Sequence, residues 1–199
     1  MSKNFDRKLH IETGNQGVHK VRQEGDFHYE ATPYPFLDAL FSEHTLKRTD
    51  QIVDFGSGKG RVLFYIYEHF GNVVTGVEKD DVLHEAAIVN KNSYVKQNKK
   101  GQDNIKLIFS SAEKYVIQPK DNVFYFFNPF SLETLKQVLE NILRSARDYK
   151  RKIDVIFYYP RPEYVDYLGE TPFTLYKEVM IPGISTINKE ERFLIYRLA

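Results

Sequence analysis

The residues whose spacing could do chemistry are two acids set around a turn of glycines. Val53-Asp54-Phe55-Gly56-Ser57-Gly58-Lys59-Gly60 joins a short apolar strand, Gln51–Phe55, to a helical stretch that starts at Arg61. Glycines let such a turn run tight and let a ligand approach the backbone, and the helix N-terminus beyond it presents free N–H groups. A dinucleotide fingerprint has its third glycine where this chain has Arg61; here the glycine comes one residue early, at Gly60. Asp54 sets the charge of the ligand. A carboxylate beside the loop repels a pyrophosphate by roughly several kcal/mol in a poorly solvated site, and attracts an ammonium or sulfonium by the same Coulomb law. Glu78 closes the run Val74-Thr75-Gly76-Val77-Glu78-Lys79, about 20 residues past the loop, where an acid accepts from ribose hydroxyls. Together they describe a site for a cationic nucleoside.

Such a site needs strands that end at its rim and helices that start there. From residue 50 the chain alternates accordingly. Arg61–Phe70 puts Val62, Leu63, Ile66 and Phe70 on one side, with Gly71 as a stop. Asn72–Val77 reads as a second strand and Asp81–Lys96 as a second helix, capped by Asp80 or Asp81. The lysine-rich run 95–103 reads as a solvated turn. Ile105–Phe109 and Val123–Phe127 are further strands, the latter apolar throughout, as a strand covered on both faces must be. Leu132–Leu143 is helical, Ile153–Tyr159 a fifth strand stopped by Pro160 and Pro162, and Glu163–Leu168 a short helix. Phe173–Ile181 and Arg192–Leu198 follow as strands with no helix between them, and therefore pair antiparallel. The expectation is an α/β fold: one doubly wound, mostly parallel seven-stranded sheet with an antiparallel last strand and helices on both faces. Ligands in such sheets sit at the carboxyl ends of the strands.

Residues 1–30 are polar and poorly periodic, and read as a loose N-terminal arm before a domain spanning 31–199. Thr32 reads as a cap with Pro33 opening a helix that carries Phe36, Leu37, Leu40 and Phe41. Tyr29, Thr32 and Tyr34 either fold over the ligand as a lid or simply begin that helix. The chain has no cysteine, which removes disulfides, thiolate zinc sites and a cysteine nucleophile. His10, His19 and His28 recur at equal intervals without metal-ligand spacing, so no metal is expected. A net charge of +1 offers no overall field for nucleic acid. No apolar run is long enough for a signal peptide or a bilayer span, so the expected location is cytoplasmic, with no membrane partner.

The stretch from about residue 50 to 135 resembles the class I, Rossmann-like methyltransferases that use S-adenosylmethionine (SAM). Their first motif, acid-x-glycine-x-glycine-x-glycine, matches Asp54, Gly56, Gly58 and Gly60, and their ribose acid matches Glu78. The resemblance implies SAM as cofactor, held by these residues with Ser57. It also implies an adenine contact after the third strand, through the Ser111 hydroxyl and the Ala112 backbone, where the family often carries an Asp. After the fourth strand it places a substrate-facing motif, here Asn128-Pro129-Phe130, with Asn128 bordering both cofactor and reacting centre. The runs DFGSGKG, GVEK and FFNPF are also similar to the disruptor-of-silencing histone-lysine methyltransferases, a likeness confined to those short motifs.

Asn128-Pro129-Phe130 has two readings. Asn and Pro can merely end a strand; or the Asn128 carbonyl accepts from a target amine while Phe130 stacks on a flat substrate. Adenine-N6 methyltransferases use a related motif with two prolines, where this chain has one. Tyr158 or Tyr159, at the end of the fifth strand, is a further candidate to face substrate. Lys59 and Arg61, on a first helical turn, are expected in solvent. Methyl transfer needs alignment and water exclusion more than acid–base groups, and the sequence offers no clear general base. The expected activity is methyl transfer to an unidentified acceptor, a protein side chain or small molecule; the alternatives are nucleic-acid methylation and a SAM-binding protein without catalysis.

Overall fold

A computed structural model of the protein describes residues 2–14 and 29–199. Seven strands form one sheet: β1 (Gln51–Phe55), β2 (Val73–Glu78), β3 (Ile105–Phe109), β4 (Asp121–Phe126), β5 (Ile153–Tyr158), β6 (Thr174–Met180) and β7 (Arg192–Leu198). Their spatial order is β3-β2-β1-β4-β5-β7-β6. The first five are parallel, and β7 enters antiparallel between β5 and β6. The expected sheet is thus observed, and its strand order reverses between β1 and β4.

Among the described residues, six α-helices cover it: α1 (Ser2–Leu9), α2 (Tyr34–Glu43), α3 (Arg61–Phe70), α4 (Asp81–Asn98), α5 (Leu132–Asp148) and α6 (Pro162–Leu168). The two faces follow from the two-residue period of the strands. In β4, Val123 and Tyr125 join one apolar layer with Leu37 and Leu40 of α2 and Leu63 and Phe64 of α3. Phe124 and Phe126 join the other, with Leu135, Val138 and Leu139 of α5 and Tyr164 and Leu168 of α6. Each of these side chains is almost fully buried; truncating a buried Leu to Ala in such a layer costs about 2–5 kcal/mol.

Local chemistry sets the element ends. Asp80 caps α4 by accepting from Leu83 N–H at 2.9 Å, and Ser131 caps α5 by accepting from Thr134 N–H at 3.3 Å. α4 continues through residues 95–98 into the lysine run expected to be a turn, because Tyr94 and Val95 still pack on the core. Gly71 ends α3 in the left-handed region, as read from sequence.

Two expectations fail at the N-terminus. Residues 2–14 are not loose: they form α1 and its exit, and Leu9 and Ile11 lie in the core layer under α2 and α3. Thr32 does not cap α2; Pro33 holds that position, and the Thr32 hydroxyl instead pairs with the Tyr125 hydroxyl at 2.7 Å. His10 ends α1 exposed, while His19 and His28 lie outside the described residues. Among the described residues, no helix is long and apolar enough to cross a membrane.

Candidate functional site

Where the strand order reverses, the carboxyl ends of β1, β2 and β4 open into a cavity of about 380 Å³. The glycine turn forms its floor. The N–H groups of Gly56 and Ser57 both donate to the carbonyl of Val77, at 2.8 and 3.2 Å, and lash the turn to β2. Glu78 fixes it from the side: one oxygen accepts from Gly58 N–H at 2.9 Å and the other from Asp80 N–H at 2.8 Å. Each carboxylate oxygen keeps a second lone pair for a ligand.

Asp54 is the buried acid of this floor. It is 4% exposed, lines the cavity, and no hydrogen bond holds it among the described residues. In β1 it alternates with Val53 and Phe55, which both turn into the opposite layer. Its carboxyl is pushed up to about 8, by burial first and by the charge of Glu78 second. Two further polar atoms face the same problem. Ser111 Oγ and Asn128 Oδ1 are buried without a hydrogen-bond partner, and both residues line the cavity. Glu113 is near enough to Ser111 to feel its hydroxyl, but not in hydrogen-bond geometry. Buried polar atoms are almost always paired in native proteins, so an unpaired set on one cavity wall calls for a ligand's donors.

Asn128 is held under strain. Its φ is 42°, and Tyr159, at the end of the next strand, stands at 49°. Few residues other than glycine occupy this region, and such strain gathers at functional sites. The Asn128 amide donates to the Tyr159 carbonyl at 2.6 Å, which orients the side chain and leaves Oδ1 as the atom without a partner.

No family model matches the chain, and none of the curated proteins is significantly similar to it. Solved structures do match. An RNA methyltransferase from Salinibacter ruber in complex with S-adenosyl-L-homocysteine superposes with a TM-score of 0.54 at 18% identity, over 84% of this chain and 92% of that one. A SAM-dependent methyltransferase from Thiobacillus denitrificans, also with S-adenosyl-L-homocysteine, gives 0.57 at 15% identity, over 93% and 96%. A putative methyltransferase in complex with the Haloferax volcanii Trm112 activator gives 0.58 at 12% identity, over 82% and 88%. The likeness is one of fold.

The structure gathers Asp54, Gly56, Ser57, Glu78, Ser111, Ala112, Asn128 and Phe130 around the cavity. It separates others. Gly58 and Gly60 lie off its wall: a Cβ on Gly58 would stand 2.2 Å from Cε2 of Tyr29, so this glycine makes room for a ring, and Gly60 caps α3 at a φ of 90°. Tyr158 is also elsewhere. The strand's alternation turns it into the layer with Phe36, Phe127 and Phe193, and its hydroxyl bonds the Glu191 carboxylate. Phe130 reaches the cavity but packs edge-on against Phe126, with centroids 6.0 Å apart.

Lys59 and Arg61 overturn the expectation of solvent. They are 6% and 8% exposed, because the N-terminal segment lies over the glycine turn. Lys59 Nζ donates to the Gly14 carbonyl at 2.8 Å. Arg61 donates to Thr13 Oγ1 at 2.7 Å and to the Ala31 and Thr32 carbonyls at 3.3 Å, lies 3.9 Å from the Asp6 carboxylate, and stacks 4.8 Å from the Tyr34 ring. Tyr29 and Thr32 thereby wall the cavity, whereas Tyr34 is buried beside α1. The hydrogen-bond partners of Arg61 are 29 to 48 positions away in sequence, beyond the reach of any local pattern.

Proposed function

We propose that this protein is a SAM-dependent methyltransferase whose acceptor is a protein side chain or a small molecule. One observation carries the reading: a buried, unpartnered carboxylate, Asp54, opens onto a cavity at the reversal point of a methyltransferase-like sheet. Desolvation disfavours its charge, and a cation or N–H donors brought beside it restore that charge. A phosphate-bearing nucleotide does the opposite.

The residues fit SAM. Asp54 attracts the positive charge, and the free lone pairs of Glu78 receive the ribose hydroxyls. Ser111 Oγ and the Ala112 backbone flank the adenine, and the turn Gly56-Ser57 lets the ligand close on the backbone. Bound there, SAM supplies a methyl carbon on an already activated leaving group. The chain's own work is then alignment and exclusion of water. Arg61 keeps Ala31 and Thr32 over the cavity, and the glycine turn and Pro129 wall it. Asn128 stands where β4 ends, fixed through Tyr159, at the side open to an acceptor.

Calorimetry with S-adenosylhomocysteine tests the cofactor, and labelled SAM incubated with a cell lysate tests transfer. Binding in the micromolar range, weakened at least about tenfold by Asp54→Asn, is the expected result. Tight NAD binding in place of S-adenosylhomocysteine contradicts the reading.

A further inference from the structure

The charges around the cavity are one-sided. Among the described residues that line it, Glu30, Asp54, Glu78, Asp80 and Glu113 are acids, against Arg61 and Lys79. Arg61 is already committed to Asp6, Thr13 and the 31–32 carbonyls. Glu78 and Asp80 hold the turn and the start of α4. Glu30 is different: it is exposed, makes no hydrogen bond among the described residues, and lines the cavity. Its charge reaches the Tyr158 hydroxyl, which stays protonated through burial first, then its bond to Glu191, with Tyr125 and Glu30 adding to the effect. Tyr158 precedes Tyr159, whose carbonyl accepts from the Asn128 amide, so Glu30 stands toward the side of the cavity where Asn128 Oδ1 has no partner. A polyanion is repelled by this arrangement, and a group that brings both an N–H donor and positive charge satisfies it.

We propose that the acceptor is an alkyl amine, its N–H received by Asn128 Oδ1 and its charge drawn in by Glu30; this deepens, and rests on, the methyl-transfer reading above. The amine arrives as an ammonium and first gives one proton to water at the cavity mouth. Its nitrogen lone pair then forms the bond to the methyl carbon as the carbon–sulfur bond breaks with its electron pair on sulfur. The positive charge passes from sulfur to nitrogen, and the product leaves as a methylammonium, with one proton released in all. The same chemistry is carried by a lysine side chain and by a free polyamine.

Two probes that differ at one group test this on the full chain by calorimetry at neutral pH. S-adenosylhomocysteine has a bare sulfur, whereas sinefungin carries an ammonium on the carbon that replaces it, pointing to the acceptor side. Sinefungin is expected to bind about tenfold tighter. Glu30→Gln, at an exposed position, should abolish most of that preference and leave S-adenosylhomocysteine affinity within about threefold, and Asn128→Gly, a residue that accepts the φ of 42°, should lower sinefungin affinity about tenfold more than S-adenosylhomocysteine affinity. No preference in the wild type, or one that survives both variants, overturns the proposal while the cofactor reading stands. Equal weakening of both probes by Asn128→Gly assigns Oδ1 to the cofactor and overturns it too. If S-adenosylhomocysteine fails to bind at all, both readings fall. With labelled SAM, label on poly-L-lysine assigns a protein source and label on spermidine a small-molecule one. Label confined to bulk tRNA refutes the amine; where nothing is labelled, the binding comparison decides.

Discussion

Replacing Asp54 by Asn should make the ligand-free protein more stable while it weakens ligand binding. The carboxyl titrates at about 8 in the folded chain and near its ordinary 3.8 when unfolded. Between those values the native state keeps a proton that the unfolded chain has released, so wild-type stability falls as pH rises through that window. Asn carries no such charge, and its difference from wild type must widen over the same window. At about 1.36 kcal/mol per pH unit, the full interval sets a ceiling of about 6 kcal/mol, of which about 4 kcal/mol is developed at pH 7. Relaxation and water entry reduce this, and an excess of at least about 2 kcal/mol, or about 4 °C in melting temperature, is expected near neutrality. Chemical and thermal denaturation of both proteins from about pH 5 to pH 9 measures it. The difference should grow up to about pH 8 and then level. Curves that run parallel across that range would refute the idea that an uncompensated buried carboxylate sits at the cavity floor.

The same titration governs binding. A cationic ligand lowers the Asp54 pKa, so the affinity for S-adenosylhomocysteine should rise with pH by up to about tenfold per unit toward pH 8 and flatten above it; in Asp54→Asn the profile should be flat over that range. Gly58→Ala forces a Cβ to 2.2 Å from the Tyr29 ring at a φ of 53°. The backbone alone costs about 1–2 kcal/mol, and denaturant midpoints with ligand affinity should both drop. Arg61→Ala cuts the bonds to Thr13, Ala31 and Thr32; faster amide exchange over residues 5–14 and 29–32, with α5 unaffected, is the expected signature, and unchanged exchange there would dismiss Arg61 as the anchor. Far from the cavity, Arg197 grips the buried Asp154 through two bonds at 2.7 and 2.9 Å. Removing it by Arg197→Ala leaves that carboxylate only His44 at 3.5 Å and Lys152 at 3.7 Å and should destabilise by up to about 3 kcal/mol, measured by urea denaturation.

The sequence by itself determined the sheet and the floor of the site. Strand and helix periods are local properties, and so are the glycine turn, the Asp80 cap and the position of Glu78 at the end of β2. Asp54 was legible because one charge inside an apolar strand has few explanations. What tertiary structure decided depends on contacts between distant segments. It turned Tyr158 inward because the β5 face it occupies is covered by α2 and shared with Phe193 of the neighbouring β7. It buried Lys59 and Arg61 because α1 and residues 29–32 close over the turn. It also stranded the Asn128 carbonyl, since only the folded approach of β4 and β5 lets Tyr159 claim the amide. Periodicity records which face of an element is apolar; it carries no record of which remote segment will lie against it, and polar partners are chosen by that second fact.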